Sequence, residues 1–447
     1  MLLRYIVSNF KSIGHPVEFS MFPAEKNTDE RFLKTITTKA GEWKVLHRGG
    51  FFGPNASGKT SFIESVDFAR GYIVNGQKSG KGTGIEQFRG EIEELKGISS
   101  FQFMFYIEEE VYEYGFSLDR RQVYEEWLMQ LTEKEFVPLF SRVTDEEGKT
   151  EIEIESRFAE KKSKERALAE VLKESIQENQ RNQLFLSKLQ ENGIKKAEKI
   201  VEWFRSIQVI FPGTKVRALP VRMKADEELR TYIGRMLERM DTGVFEVSVA
   251  SDEIDFHEIA AKIDLPRALV EEIEEIKNGI VNLAGKYFIF GENKKKRTML
   301  IQLKLTHKLN GRVVRFNIDE ESDGTQRLLD LLPMLFAIGK NETVYLVDEI
   351  DRSLHTKLSQ FLLAEFASTA CNGGSQILFT AHDINLINLH SVRQDEIWFI
   401  EKNGRGESIL RPFSDFEIRE GQDTLKAYLC GRFGAIPMIG GSSICAQ

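Results

Sequence analysis

The segment GGFFGPNASGKT, from Gly49 to Thr60, has the residue types and spacing that phosphate binding requires. Its last eight residues match G-x-x-x-x-G-K-[ST] in full. Glycines in such a loop let successive backbone N–H groups surround a β-phosphate, and the following helix directs its positive end at the anion. Average composition produces this pattern by chance in about one protein of this length in a hundred. We therefore predict a nucleotide site rather than a flexible surface turn.

This loop also supplies most of the expected nucleotide contacts. Lys59 is expected to bridge the β and γ oxygens, and the Thr60 hydroxyl to hold Mg²⁺. The full predicted set of loop residues is Gly53, Asn55, Ala56, Ser57, Gly58, Lys59, Thr60 and Ser61.

The segment TVYLVDEID places two carboxylates at the end of a predicted buried strand, Val344 to Val347. A carboxylate at a strand end can hold magnesium, and the next one can polarise an attacking water. Apolar strands that end in acids are common on their own. Together with the phosphate loop, however, we assign Asp348 to Mg²⁺ and Glu349 to the water.

Another apolar strand, in ILFTAHD, delivers His382 at its end. A lone histidine is usually structural. Because this strand follows the one that carries the acids, we predict that His382 contacts the γ-phosphate or the attacking water.

The segment ESDGTQRLLDLL places Ser322 and Gly324 at the start of a predicted helix. A hydroxyl and free N–H groups at a helix N-terminus form an anion site. By itself the segment is a well-capped helix, but beside the other three motifs it is a candidate second phosphate-binding edge.

The surrounding elements are predicted from hydrophobic periodicity. VLHRGGFFG is a strand that runs into the phosphate loop, and Phe62, Val66, Ala69 and Ile73 follow with helical spacing. FQFMFYI and VYEYGFSL form an antiparallel pair around an acidic turn, and Asn310-Gly311 marks a second hairpin. Two further helical stripes comprise Ile194, Ala197, Val201 and Phe204, and Leu229, Ile233, Met236 and Met240.

The middle of the chain has a different composition. From about Glu151 the sequence is dense in charge, and Leu168, Leu172 and Ile176 lie on one helical face. This is either a solvated helix at a domain edge or a short arm that meets a partner or a second subunit. The basic cluster KKKR at 294–297 is either a loop tip or a contact for nucleic acid.

Composition is typical of a water-soluble globular protein. Of 447 residues, 41% are hydrophobic and 29% charged, with no run long enough for a membrane helix and no export signal at the start, so we expect a cytoplasmic location without membrane partners. The net charge of -8 argues against bulk attraction to nucleic acid. Cys371, Cys430 and Cys445 are too few and too scattered for a disulfide framework or a zinc site, so we expect buried or idle thiols.

In their order along the chain, the four motifs resemble the ATPase heads of the ABC superfamily. The element beginning at Ser322 is similar to the reduced signature motif of SMC-like and OLD-type proteins. Asp351 occupies the D-loop position, His382 the switch-histidine position, and Gln87, in GIEQFRG, the position of a metal-contacting Q-loop glutamine. More narrowly, SNFKSI, GPNASGKT, VDEIDRSLH and AYLCGRFGAIP resemble a branch of stand-alone prokaryotic ABC-type ATPases of phage defence, which includes RloA-like and PARIS-type (AriA-like) ATPases.

The resemblance, which covers roughly residues 1–130 and 297–437, implies an α/β fold. Its head would contain a mixed sheet and an antiparallel β subdomain, formed by residues 1–149 and 297–447 and interrupted by a mainly helical insertion over 150–296. The implied cofactors are ATP and Mg²⁺. Because the signature serine of this superfamily faces the phosphate loop of a second subunit, a homodimer or a larger ring of dimers is implied.

The resemblance also suggests a function. OLD-group relatives carry a fused TOPRIM nuclease, which we do not expect in this chain, so we expect a separate effector, a nuclease toxin, that is held or released when a phage component is sensed. The main alternative is an SMC-like DNA-repair or chromosome-maintenance ATPase that grips DNA. A transporter subunit and a scaffold that binds ATP without hydrolysing it fit less well. The roles of Tyr428 and Arg432 in AYLCGRFGAIP, capping the site or packing a strand, stay open.

Overall fold

The structure is a computed structural model of the chain. It describes residues 1–27, 29–78, 80–90, 92–145, 147–159, 163–179, 181–262, 265–274, 279–283, 286–290, 298–388, 391–417 and 424–436. The KKKR cluster at 294–297 lies outside these residues, so neither interpretation of it is tested.

The chain divides into two compact units. The first comprises Met1–Pro212, Asn341–Asp351 and Ser359–Gln447, and the second comprises Gly213–Lys340 and Arg352–Leu358. Each is described by itself below.

The first unit contains a seven-stranded antiparallel sheet in the order β10-β9-β8-β7-β6-β1-β2. Its strands are β1 (Leu2–Ser8), β2 (Val17–Ser20), β6 (Ser99–Ile107), β7 (Glu110–Leu118), β8 (Val123–Leu131), β9 (Phe136–Thr144) and β10 (Thr150–Ile154). Alternate residues of β1, Leu3, Tyr5 and Val7, are fully buried, as their pattern predicts. The predicted antiparallel pair is β6 and β7, joined by Glu108 and Glu109 at positive φ.

A second sheet of the first unit carries the phosphate loop. Its order is β11-β17-β18-β5-β19-β20, with all neighbours parallel except β19 and β20. The strands are β5 (Arg48–Phe52), β11 (Gln208–Ile210), β17 (Val344–Val347), β18 (Gln376–Ala381), β19 (Ile397–Lys402) and β20 (Ser408–Pro412). Parallel strands point their carboxyl ends to the same edge, so β5, β17 and β18 deliver their following residues to one place. A separate hairpin pairs β3 (Leu33–Thr38) with β4 (Gly41–Leu46).

The helices of the first unit are α1 (Lys59–Asn75), α2 (Lys164–Asn179), α3 (Phe185–Glu191), α4 (Lys195–Ser206), most of α10 (Thr356–Gly373) and α11 (Thr424–Leu429). The predicted stripe of α1 is buried in full. Rings of β1, β2, α1, β6 and α4 pack together in the core, as in the contact between Tyr5 and Phe103 at 4.6 Å. Helix α2 buries Leu172 and Ile176, whereas Leu168 is 36% exposed, so both interpretations of this helix stay open.

The second unit combines a sheet with helices. Strands β12 (Val244–Ile254), β13 (Gly279–Leu283), β14 (Lys286–Phe290), β15 (Thr298–Leu309) and β16 (Arg312–Asn317) form the sheet. The helices are α5 (Leu219–Ala225), α6 (Glu227–Arg239), α7 (Phe256–Lys262), α8 (Arg267–Glu274) and α9 (Asp323–Ile338). Asn310 and Gly311 turn between β15 and β16 at φ 48 and 77, as predicted. The buried stripes predicted for α4 and α6 are confirmed.

The α/β class with an antiparallel sheet is therefore confirmed, but the units do not follow the predicted boundaries. Residues of the expected 150–296 insertion are divided between the units, and they contribute β11 to the sheet of the phosphate loop. Near Glu151 the charged residues belong to β10, in which Glu151 and Glu153 are exposed while Ile152 and Ile154 are buried. Cys430 is disulfide-bonded, which corrects the expectation of idle thiols.

Candidate active site

The phosphate loop leaves β5 at Phe52 and enters α1 at Lys59. Ala56 and Gly58 have φ angles of 62 and 111, so the backbone turns in the left-handed region twice within three residues. A side chain on Gly53 would collide with the carbonyl oxygen of Ile400, which explains the glycine at that position. The loop thus presents its backbone N–H groups at the start of a 17-residue helix.

Lys59 is buried at the centre of this loop. Its ammonium group donates to the carbonyl oxygens of Gly53 at 2.8 Å and Pro54 at 3.1 Å. Burial lowers the pKa of Lys59, while the negative charge of Asp348 acts in the opposite direction. The carbonyl oxygens of the loop therefore hold the Lys59 ammonium group in place, and a phosphate oxygen can replace one of them as its partner.

Asp348 connects the loop to the acid strand. The Thr60 hydroxyl donates to Asp348 Oδ2 at 3.0 Å, and the Thr380 hydroxyl donates to Asp348 Oδ1 at 2.6 Å. Only 2% of Asp348 is exposed. Hydroxyl and carboxylate oxygens are the hard ligands that Mg²⁺ prefers, so Thr60 and Asp348 fit the predicted metal. Within the described residues no group of three or more His, Cys, Asp or Glu forms a metal cluster, so phosphate and water oxygens would complete this site.

Glu349 and His382 face each other beside the loop. Glu349 Oε1 lies 3.7 Å from His382 Nε2, and both side chains are partly exposed. Glu349 has φ 48, and its N–H group donates to the Thr380 hydroxyl at 2.8 Å. This arrangement turns the Glu349 side chain away from the strand and toward the phosphate loop.

Asp351 holds the segment after β18. Its Oδ2 atom accepts hydrogen bonds from the backbone N–H groups of His382 at 2.8 Å and Asp383 at 2.6 Å. The resemblance places Asp351 at the D-loop position and implies a nucleotide contact, but in this chain its carboxylate fixes the backbone that carries His382. Whether Asp351 also contacts nucleotide across a dimer stays a prediction.

These residues surround a cavity of about 660 Å³. Its lining comprises Asn55, Ala56, Ser57, Gly58, Lys59, Thr60, Ser61, Ser12, Glu349 and His382. The volume is in the range of small-molecule sites. The structure therefore brings together the loop, the acid strand and the histidine that the sequence predicted.

Gln87 is not among the residues that line this cavity. It lines a neighbouring cavity, and its Nε2 group donates to the carbonyl oxygen of Gly97. The structure therefore places Gln87 beside the phosphate-loop cavity and not in its lining, and the metal contact of Gln87 stays a prediction.

Ser322 and Gly324 lie in the second unit. The Ser322 hydroxyl accepts from the N–H group of Thr325 at 3.2 Å and caps α9, an arrangement that stabilises a helix by about 1 kcal/mol. A side chain on Gly324 would approach the Ser353 carbonyl oxygen to 2.8 Å. The preceding residue, Glu321, binds His307 Nε2 at 2.7 Å. Both residues thus have local structural roles, and their contact with phosphate stays a prediction.

Ser408, at the start of β20, supports the loop from a position that the sequence did not reveal. Its hydroxyl donates to the Ser57 carbonyl oxygen at 2.6 Å and lies 2.8 Å from the Ser12 hydroxyl. Its N–H group donates to the Ser12 carbonyl oxygen at 2.8 Å. A side chain on Gly58 would collide with Ser408, so the two residues are in close contact. No local pattern links a serine to a loop 350 residues earlier.

The AYLCGRFGAIP segment, described as far as residue 436, packs against β19. The Tyr428 ring stacks on Phe399 at 5.4 Å, and its hydroxyl donates to the Ala435 carbonyl oxygen at 2.6 Å. The sequence left two roles open for Tyr428, capping the site or packing a strand. In the structure Tyr428 packs against a strand. Across the described part of the chain, no helix has the length and apolar character to cross a membrane.

Comparison with known proteins gives one family match. The model of the family described as "AAA domain, putative AbiEii toxin, Type IV TA system" matches residues 50–388. This range includes the phosphate loop, the acid strand and His382. No curated protein matches the sequence.

Two of the solved structures to which the chain is similar are SMC heads. The SMC head domain from Thermotoga maritima has 12% sequence identity and a TM-score of 0.39, and the likeness covers 93% of this chain and 99% of that one. The SmcHead bound to the C-winged helix domain of ScpA has 10% identity and a TM-score of 0.41, with 92% and 97% coverage.

Proposed function

The chain belongs to this family of AAA-domain ATPases, and from that premise we propose that it is an Mg²⁺-dependent ATPase whose nucleotide state controls a separate effector in antiphage defence. The observation that supports the hydrolytic activity most directly is the convergence of Lys59, Thr60 with Asp348, and the Glu349–His382 pair on one cavity.

Each residue has a distinct task in this proposal. The backbone N–H groups of 56–61 and the Lys59 ammonium bind the phosphate chain. Thr60 and Asp348 would hold Mg²⁺, which when bound neutralises charge on the β and γ oxygens. Glu349 orients the attacking water and accepts its proton, and His382, held by Asp351, donates to the γ-phosphate.

We further propose that hydrolysis takes place in a homodimer. Ser322 and Gly324 of one subunit would contact the γ-phosphate bound to the loop of the other, so ATP holds two heads together and hydrolysis releases them. Larger assemblies would be built from such dimers. The support for this step is the resemblance of the ESDGTQ segment to a signature motif, together with its position at the N-terminus of α9, where the helix dipole favours an anion.

The proposed effector is a nuclease toxin of the TOPRIM type, held or released when a phage component is sensed. The description of the matching family, which names a toxin–antitoxin system, supports a defence role. The resemblance to RloA-like and PARIS-type ATPases points in the same direction. Head closure and opening would supply the switch.

Two variants test the ATPase. Lys59→Ala should weaken ATP binding roughly 10- to 100-fold, because charge-assisted hydrogen bonds contribute about 1.5–3 kcal/mol. Lys134→Ala, at an exposed turn, is the matched control. Glu349→Gln should retain ATP binding, lose turnover roughly 100-fold or more, and accumulate as an ATP-bound dimer in light scattering. Wild-type turnover in Glu349→Gln would show that another residue positions the water.

The effector is tested by purifying the chain with the product of the neighbouring gene, with and without ATP. Nucleotide-dependent association supports the switch, and its absence contradicts it. If the chain alone arrests growth, it is itself the toxic component. If DNA binds at physiological salt and stimulates turnover, the alternative of a DNA-repair ATPase is correct.

A further inference from the structure

A second cavity, of about 580 Å³, adjoins the phosphate-loop cavity. Ser12 and Ser61 line both cavities, whereas Glu349 and His382 line only the first. Ser61 belongs to the first turn of α1, directly after Thr60. Ser12 and Ser61 therefore connect the cavity that holds Glu349 and His382 to the second cavity, so a nucleotide with its γ-phosphate at Glu349 and His382 could extend past Ser61.

The far wall of this second cavity is the connection between α1 and β6. Residues 80–90 contain no helix or strand, yet several hydrogen bonds fix their backbone. The Thr83 N–H group donates to the Arg120 carbonyl oxygen at 3.1 Å, and the Lys11 N–H group donates to the Glu86 carbonyl oxygen at 2.8 Å. An ordered irregular segment beside a ligand site is typical of a binding loop.

Two side chains of this loop offer an apolar surface. Ile85 is buried at the base of the cavity, and Phe88 is half-buried in its wall. A side chain on Gly90 would collide with the Phe88 ring, so the ring lies directly against the Gly90 backbone. The Phe88 N–H group also donates to Asn9 Oδ1 at 3.2 Å. Phe88 is thus an aromatic ring held in place at the cavity wall.

Gln87 supplies a polar group beside this surface. Its Nε2 group donates to the Gly97 carbonyl oxygen, which fixes the orientation of the carboxamide. Among the described residues, no donor pairs with Gln87 Oε1, so this atom can accept a hydrogen bond. A carboxamide oxygen next to an aromatic ring suits a planar base with an exocyclic amine.

We propose that the second cavity binds the adenosine end of ATP, with the base stacked on Phe88 and its exocyclic amine donating to Gln87 Oε1. This inference rests on the proposed function, because it assumes a nucleoside triphosphate on the phosphate loop. It also replaces the metal contact that the sequence assigned to Gln87 with a role in base selection.

The test compares three probes: Mg²⁺-ATP, Mg²⁺-ITP, in which the exocyclic amine is replaced by a carbonyl, and inorganic tripolyphosphate, which has no base. Dissociation constants are measured by calorimetry. Phe88→Ala should weaken ATP binding about tenfold through loss of stacking and leave tripolyphosphate unchanged. Gln87→Leu should reduce the preference for ATP over ITP and also leave tripolyphosphate unchanged.

Two further variants keep the test decisive. Phe88→Tyr retains the ring and should keep the ATP affinity of the wild type. Phe136→Ala removes an equally half-buried ring on β9, outside both cavities, and should affect none of the probes.

The inference is overturned if Phe88→Ala binds ATP as the wild type does, or loses ATP and tripolyphosphate equally. It is also overturned if the wild-type protein binds ATP no better than tripolyphosphate. In that case the binding of phosphates by the phosphate loop is still supported. A wild-type protein that binds neither ATP nor tripolyphosphate would instead contradict the proposed function.

Discussion

Thr380 donates a 2.6 Å hydrogen bond to Asp348, and the same hydroxyl accepts the N–H group of Glu349. One side chain on β18 therefore sets the positions of both acids that follow β17. The contact is possible because β18 lies between β17 and β5 in the sheet. Thr380 is thus a positioning residue for the proposed metal site.

Replacing Thr380 with valine keeps the shape of the side chain and removes both hydrogen bonds, to Asp348 and from the Glu349 N–H group. We expect the Mg²⁺ concentration required for half-maximal ATPase activity to rise roughly 10- to 100-fold, as for other residues that orient metal ligands. A magnesium titration of turnover measures it. Thr306→Val is the control, because the Thr306 hydroxyl is buried without a hydrogen-bond partner within the described residues. Equal behaviour of the two variants would contradict the positioning role.

Replacing Asp351 with alanine frees the backbone of His382 and Asp383. We expect kcat to fall by up to roughly 100-fold, the lower end of a general acid–base contribution, with ATP affinity nearly unchanged because Asp351 does not line the cavity. Asp351→Asn, which keeps one acceptor oxygen, should restore part of kcat. Loss of ATP-dependent dimerisation with intact kcat per dimer would favour the D-loop role instead.

Ser408→Ala tests the support of the phosphate loop from β20. Loss of the hydroxyl leaves the Ser57 carbonyl oxygen without this donor, at a cost of about 1–3 kcal/mol. We expect ATP affinity to fall about tenfold, since 1.4 kcal/mol corresponds to a factor of ten. Ser359→Ala is the matched control, because that buried hydroxyl has no partner in the described part of the chain. Unchanged ATP affinity in Ser408→Ala would show that the loop keeps its shape alone.

Glu110 gives a pH-dependent contribution to stability. Burial raises its pKa, but hydrogen bonds from Tyr112, Lys39 and Lys199 outweigh burial and lower the pKa to about 2. A depressed carboxyl pKa stabilises the folded state above its ordinary value of 4.5, and this stabilisation is lost as the pH falls toward 2.

The urea midpoints of the wild type and Glu110→Gln should therefore differ at pH 6 and converge as the pH falls below 4.5. Glu151→Gln, at an exposed pair with Lys149, is the control and should change little at either pH. If the difference between the two urea midpoints instead grows as the pH falls, the lowered pKa of Glu110 is contradicted.

Local patterns were sufficient to predict the parts of the site that lie within one segment. The loop before α1, the acids after β17 and His382 after β18 each follow a strand whose apolar run is visible in the sequence. Their convergence followed from one rule, that parallel strands end at a common edge.

The remaining contacts could not be predicted because they join distant segments. Ser408 meets Ser57 only because β20 pairs with β19 beside β5. Gln87 was assigned to the metal from its place before β6, but hydrogen bonds to distant backbone groups determine where its loop lies. The pairing of β11 could not be predicted for a similar reason, since its three residues give no periodic signal yet pair with β17 in the sheet.

The neighbours of β5 also determine when the site can form during synthesis. The phosphate loop is complete by residue 60, but its strand pairs with β18 and β19, whose residues follow more than 300 positions later. At ~5–20 residues per second, a ribosome needs roughly 15 to 60 s to supply them. During that interval β5, which precedes the glycine-rich segment, has neither of its neighbouring strands. We therefore expect the nascent chain to be unable to capture nucleotide until β18 and β19 have left the ribosome, which keeps unfinished molecules out of any ATP-dependent assembly.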